Sequence, residues 1–232
     1  MIRRFAVFLL LLGLGVIFAD LLLGYTPSEE LNLTARYYAE HTAQDLGAAN
    51  IVTAIVVTYR GLDTLGEVTV LFLTATIIGM VLARGRKHRA LQRQLPAAGE
   101  LLTTGSRLLV PLILLLGVYV FVNGHLTPGG GFQGGAIVAS AALLLLLTDP
   151  LKRFSHRLIA VMEAVSGLFF IGLGVLGLVY AGGFLDSRVL PNGAFGTLFS
   201  AGVMPIIYSF IGLKVGAEFT SMLTHLAETE QS

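Results

Sequence analysis

Long apolar runs separated by short polar ones dominate this chain. Phe5 to Leu23 carries one charge, Asp20, near its far end. Val68 to Ala83, Leu108 to Gly124 and Leu126 to Thr148 carry none, and Leu158 to Leu185 carries only Glu163. Val189 to Leu213 is again uncharged, with Lys214 directly after it. Each run is close to the ~20 residues an α-helix needs to cross a hydrocarbon core. Lipid offers the backbone no hydrogen-bond partners, so runs of this kind must be helical. The pattern predicts an all-α integral membrane protein with about six transmembrane helices. Arg3-Arg4 before the first run also suits a cleaved signal peptide. The run is long for that role and no Ala-x-Ala-like site follows, so a retained helix is expected.

Basic residues set the orientation. With the N-terminus inside, the inner set is Arg3, Arg4, Arg84, Arg86, Lys87, Arg89, Arg93, Arg107, Lys152, Arg153, Arg157 and Lys214. The outer set is Arg36, Arg60 and Arg188. This asymmetry predicts that both termini are cytoplasmic. Two stretches interrupt the spans. Residues 25–47 are polar and read as an external loop, while Ala48 to Thr58 is apolar but too short to span and reads as an interfacial helix. A basic stretch with Pro96 and Gly99 divides the chain into a module of residues 1–90, a cytoplasmic linker of 91–103, a second module of 104–226 and a tail of 227–232.

Composition narrows the chemistry. Of 232 residues, 55% are hydrophobic and 12% charged, about half the charge of a soluble domain. There is no Cys, which excludes disulfides, thiolate-held clusters, Cys-ligated zinc and Cys nucleophiles in this chain. A net charge of +1 gives no basic field for nucleic acid. No catalytic, cofactor or metal site is expected.

Ionisable groups in spans are costly and mark an ion path or a pair by default. Thr64-x-x-Glu67 has the spacing of a capping box, in which Thr64 would accept from the amide of residue 67. Glu67 could equally be a carboxylate held at the outer helix end for ion passage. Glu163 falls early in the fifth span. Lys214 and Glu218 fall one turn apart at the inner end of the sixth, where a Glu163–Lys214 pair is geometrically possible. Their alternatives are a snorkelling Lys214 and a Glu218 already in water. Asp149, before Pro150, ends the fourth helix. His41, His88, His156 and His225 are placed in loops or tails.

The run from Asn123 to Gly135 contains Gly-x-Gly-x-x-Gly at 129–134. No strand precedes it and no acid follows at about 20 residues, so it is not a dinucleotide fingerprint. Pro128, Gly129, Gly130 and Gly131 break the chain between two helices. Gly131-x-x-x-Gly135 and Gly212-x-x-x-Gly216 offer close-packing helix faces. His125 at this edge is either structural or a group that titrates near neutral pH.

His125, Pro128, Gly129, Gly130, Gly131, Phe132, Gly134 and Gly135 resemble the Gly-His-x-x-Pro-Gly-Gly-Gly-Phe-x-Gly-Gly signature of the Mrp (Mnh) antiporter B subunit, a family that includes the membrane-bound hydrogenase F subunit. Tyr59 to Leu71 resembles a run in the C-terminal region of the Mrp A subunit and in the hydrogenase E subunit. The resemblance implies an E-like module fused to a B/F-like one, in a non-catalytic subunit of a multisubunit Na+/H+ antiporter. It implies partners among the large antiporter-like A and D and the small C, E, F and G subunit types, in a prokaryotic cell (inner) membrane. It also implies an ion path that includes Glu67, with Glu163, Lys214, His125 and Asp63 as further candidates and Na+ and H+ as the ions. Two alternatives remain: the membrane arm of a redox-driven ion pump such as a membrane-bound hydrogenase, and a structural spacer without an ion path.

Overall fold

The computed structural model describes residues 2–25, 30–86, 98–149 and 154–230. The expected basic linker, with Lys87, Arg89, Arg93 and Pro96, lies largely outside the described residues, as do Pro150, Lys152 and Arg153. Helix accounts for 79% of the structure, with no strand among the described residues, which establishes the all-α class. Among the described residues, six helices are long and apolar enough to cross a membrane.

The chain forms two compact units, Met1–Tyr37 and Tyr38–Ser232. The first contains α1 (Ile2–Leu23), whose side chains from Arg4 onward are all exposed. A helix that is apolar all round belongs in lipid or against another chain. The stretch expected as an external loop instead contains α2 (Leu33–Leu46). Asn32 caps its start, its Oδ1 accepting from the Ala35 amide at 2.8 Å. Gly47, at φ +66°, ends it. Polar helices leave no trace in a search for apolar runs.

Within the second unit, a short α3 (Ile51–Ala54) continues as a π-helical turn, Ile55–Tyr59. This agrees with the expected short helix at 48–58. Four long helices follow: α4 (Gly61–Arg86), α5 (Glu100–Val122), α6 (Gly131–Thr148) and α7 (His156–Tyr180). Asp149 caps the end of α6, as expected. A loop with one 3-10 turn (Ser187–Val189) leads to α8 (Met204–Glu230).

The sixth span is the largest departure from expectation. It was expected over Val189–Leu213, but the helix begins at Met204 and continues to Glu230. Pro191, Gly193, Gly196 and Gly202 break the apolar run that hydropathy alone would make helical, and Gly196 and Gly202 have positive φ. Lys214 is therefore near mid-helix, with about 24 Å of α8 beyond it.

Helix α8 is the hub, packing against α4, α5, α6 and α7. Both expected small-residue faces are used. A Cβ on Gly131 would overlap Ile211, and one on Gly135 would lie 2.7 Å from Val215 Cβ and 2.8 Å from the Gly212 carbonyl. A Cβ on Gly134 would lie 2.7 Å from the Gly117 carbonyl of α5. Close backbone approach of this kind gives dispersion contact where lipid supplies no hydrophobic drive.

Candidate functional site

Beside these glycine contacts, about a quarter-turn round the helix, α8 carries Lys214, Glu218, Ser221, His225 and Glu228, at spacings of four, three, four and three. That alternation keeps all five on one stripe. Lys214 Nζ lies 2.7 Å from Glu218 Oε1, with side chains 9% and 0% exposed. Glu218 is therefore not in water and Lys214 does not snorkel, because α8 runs on past both. Lys214 Nζ also stands 5.1 Å from the centre of the Phe72 ring on α4, a cation–π contact. Gly167 on α7 lies against the lysine, where a Cβ would be in ordinary contact with Nζ at 3.5 Å.

Glu163 and Lys214 do not pair with each other; both line a cavity of about 450 Å³ between α4, α7 and α8. Glu163, half-buried, also lines a cavity of about 330 Å³ with His156, Ser221, His225 and Glu228. A third, of about 310 Å³, joins it to Ser221, His225 and the Thr76–Met80 turn of α4. Glu163 thus stands at the junction of three cavities that follow the polar stripe of α8. His156 Nε2 lies 2.8 Å from Glu228 Oε1, and the His156 and His225 rings stack with centres 5.2 Å apart. These histidines are in helices, His156 at the first residue of α7 and His225 within α8, rather than in a loop and a tail. Reading α8 from residue 204 would have exposed the stripe in the sequence.

His125 belongs to a different setting at the opposite end of the bundle. Its side chain is fully buried, with Nε2 3.4 Å from the Thr197 carbonyl. Burial holds its pKa below the ordinary 6.5. Asn50, which sequence reasoning did not single out, ties the same turn down. Its amide donates to the His125 carbonyl at 3.0 Å, and its Nδ2 donates to the carbonyls of Gly124 (2.9 Å) and Thr127 (3.0 Å). Thr53 donates its hydroxyl to the Gly124 carbonyl at 2.6 Å. Gly129 and Gly130, at φ +153° and +157°, complete the turn after Pro128. Phe132 packs against the core that contains Ile207, Tyr208 and Ile211.

The expected capping box is not formed. Helix α4 already starts at Gly61, and the Thr64 hydroxyl donates to the Val56 carbonyl at 2.5 Å, which helps accommodate the π-helical turn. Glu67 is consequently free of a capping role and is exposed on the surface of α4. Asp63 pairs at 2.5 Å with Arg60 on the surface. The structure therefore brings Glu163 and Lys214 together, and leaves Glu67, Asp63 and His125 apart from them.

An all-helical, multi-pass membrane chain with a buried charged stripe on its hub helix is of the kind found in ion-handling membrane complexes. Residues 101–221 match the family model of the domain related to the MnhB subunit of Na+/H+ antiporter, and residues 2–96 match the MbhE model, which describes the E subunit of MBH. The chain belongs to the MnhB-related family. It is 31% identical to the uncharacterized protein MJ1307 of Methanocaldococcus jannaschii over 190 residues, 72% of each chain. A chain of the membrane-bound sulfane sulfur reductase (MBS), an archaeal respiratory membrane complex, is similar at a TM-score of 0.81 and 39% identity. That match covers 97% of this chain and 98% of the other. A chain of the Mrp complex from Dietzia sp. DQ12-45-1b is similar at a TM-score of 0.80 and 26% identity, over 99% of this chain but only 26% of the other. The protein is thus an Mrp/MnhB-like membrane subunit of an antiporter-like complex.

Proposed function

We propose that this chain is a non-catalytic subunit of an Mrp-type cation/proton antiporter module, and that Glu163, Lys214 and Glu218 carry part of its ion path. The observation that carries this reading is the buried Lys214–Glu218 pair at mid-helix, opening on a cavity shared with Glu163. A buried pair is seldom retained for stability, because desolvation offsets most of its Coulomb attraction. Here it supplies a two-position switch. Protonation of Glu218 loosens its hold on Lys214, whose flexible stem can then turn through the cavity toward Glu163. The charge state of one site thereby sets that of the next.

Glu67 extends the path sideways. An acid exposed on an otherwise apolar spanning helix requires polar company from a neighbouring subunit. The partners proposed are the large A and D and the small C, E, F and G subunit types, with Na+ and H+ as the ions. Basic asymmetry favours cytoplasmic termini in a prokaryotic cell membrane, with the His156 end of the bundle inside. Residues 1–90 and 104–226 act as the E-like and B/F-like modules.

The redox-driven reading has an observation of its own. The MBS chain corresponds to this one end to end, whereas this chain corresponds to about a quarter of the Dietzia Mrp chain. That favours a host in which the two modules form a separate chain, with electron transfer on other subunits driving the same path. The test is purification of the native complex with mass spectrometry of its subunits, followed by ion transport in proteoliposomes with Glu163→Gln. Loss of transport from an intact complex is expected. Normal transport would remove Glu163 from the path.

A further inference from the structure

We propose that His156, His225 and Glu228 form a proton-loading site at the mouth of the cavity chain, delivering protons to Glu163. This rests on the ion-path reading above and adds the site at which protons enter from water.

Three independent features converge there. His156 is at the start of α7 with its side chain half exposed, so water reaches it. The same ring is 2.8 Å from the Glu228 carboxylate, which is itself 8% exposed, and stacks on His225. His225 and Ser221 then share two separate cavities with Glu163. Imidazoles bind and release protons near neutral pH, and a neighbouring carboxylate stabilises the imidazolium. A ring at the water boundary, a second stacked beneath it and a carboxyl on the same cavities form a relay of groups that both accept and donate.

The transfer balances without any other reactant. A proton from water binds a neutral imidazole of the pair and gives imidazolium next to the Glu228 carboxylate. The imidazolium passes that proton, directly or through water beside Ser221, to the Glu163 carboxylate. The products are neutral imidazole and a carboxylic acid, and the acid faces the cavity of Lys214.

Among the described residues, the charged groups that share these helices and cavities can be named. On α7 they are Arg157, exposed one residue on, and Glu163. On α8 they are Glu218 and Lys214 above and Glu228 beside the pair. Helix α4 presents Ala75, Thr76, Gly79 and Met80, none of which titrates. Gly79 of α4 lies against the ring, where a Cβ would be 3.4 Å from His225 Cδ2.

The experiment uses the whole complex in proteoliposomes and measures proton-coupled transport against pH on the side that α7 begins. His156→Gln and His225→Gln together should lower the rate at least about a hundredfold, the lower end for removing a proton-transfer group. Glu228→Gln, which removes the carboxylate 2.8 Å from His156 Nε2, should keep transport but change its pH profile. A structural role for the cluster would leave that profile unchanged. If the double variant assembles poorly, His156→Gln alone, at the half-exposed position, gives the same readout. An unchanged rate and pH profile in assembled His156→Gln and Glu228→Gln complexes would overturn the loading site. Glu163→Gln, run beside them, separates the two readings. If only Glu163→Gln fails, the path stands and the loading site falls. If only the histidine variants shift the profile, the cluster stands and Glu163 is not its acceptor.

Discussion

Helix α8 has two faces that solve opposite problems. On one, Ile211, Gly212 and Val215 meet the glycines of α6 so closely that no Cβ would fit at Gly131 or Gly135. On the neighbouring stripe, Lys214, Ser221, His225 and Glu228 line cavities of about 450, 330 and 310 Å³ toward α4 and α7, with Glu218 buried against Lys214. The first face is buried, and its close contacts fix the helix. The second opens on space lined by charged groups. A helix anchored by glycine packing on one side can carry an ion pair on the other without the bundle rearranging each time a proton moves.

The largest expected effect breaks the charged face. Lys214→Met leaves Glu218 buried without its cation and should cost about 3–5 kcal/mol, read as thermal stability of the purified complex. Lys214→Met with Glu218→Leu should restore most of that stability, since apolar replacement of a buried pair is often neutral. Transport should remain lost in the double variant. That outcome would separate the function of the pair from its contribution to the fold.

Gly135→Leu attacks the buried face instead. The new side chain must displace Val215 and the Gly212 backbone, and overpacking of this sort costs about 1–3 kcal/mol or more. The expected result is reduced recovery of assembled complex in mild detergent, with normal transport per recovered complex. A specific transport defect without an assembly defect would mean that the two faces are not divided in this way.

The two histidine settings sharpen the same contrast. His125 is fully buried with its pKa held below 6.5 by desolvation, so the unfolded chain binds a proton there more readily than the folded one. Its contribution is intact above about pH 6.5 and should weaken as pH falls below that value. His125→Gln should cost about 1–3 kcal/mol in thermal unfolding and remove this part of the pH dependence. It should not alter the pH profile of transport, unlike changes at His156 and His225. The smallest effect is at Thr64→Ala, where one hydrogen bond to Val56 is worth about 1 kcal/mol. Transport should be untouched, because Thr64 does not cap Glu67.

Much of this was legible in the sequence, for identifiable reasons. Uninterrupted apolar runs located α1 and α4 to α7, and the Pro128–Gly131 break marked the turn between α5 and α6. The glycine spacing 131/135 and 212/216 announced close helix contact. The candidate site was harder to see because hydropathy rewards the wrong end of α8. Residues 189–203 are apolar but broken by Pro191, Gly193, Gly196 and Gly202, while residues 214–228 are helical but charged. A span drawn over the apolar part leaves Lys214 at a membrane edge and His225 in a tail. The charged part is tolerated in the bundle only because α4 and α7 cover it. No single-helix pattern reports that cover. Thr64 misled for a related reason: its spacing to Glu67 suits a capping box, but the π-helical turn before it takes the hydroxyl instead.

The division of α8 can be tested directly because the chain contains no native Cys. Single cysteines at Ser221→Cys and Val215→Cys would be exposed, in the intact complex, to a charged thiol reagent that stays in water. Mass spectrometry of this chain then reads the extent of labelling. Ser221→Cys should be modified readily through the cavities it shares with His225, and Val215→Cys, sealed against Gly135, should resist. Equal labelling at the two positions, or none at Ser221→Cys, would contradict a hydrated ion path along this face.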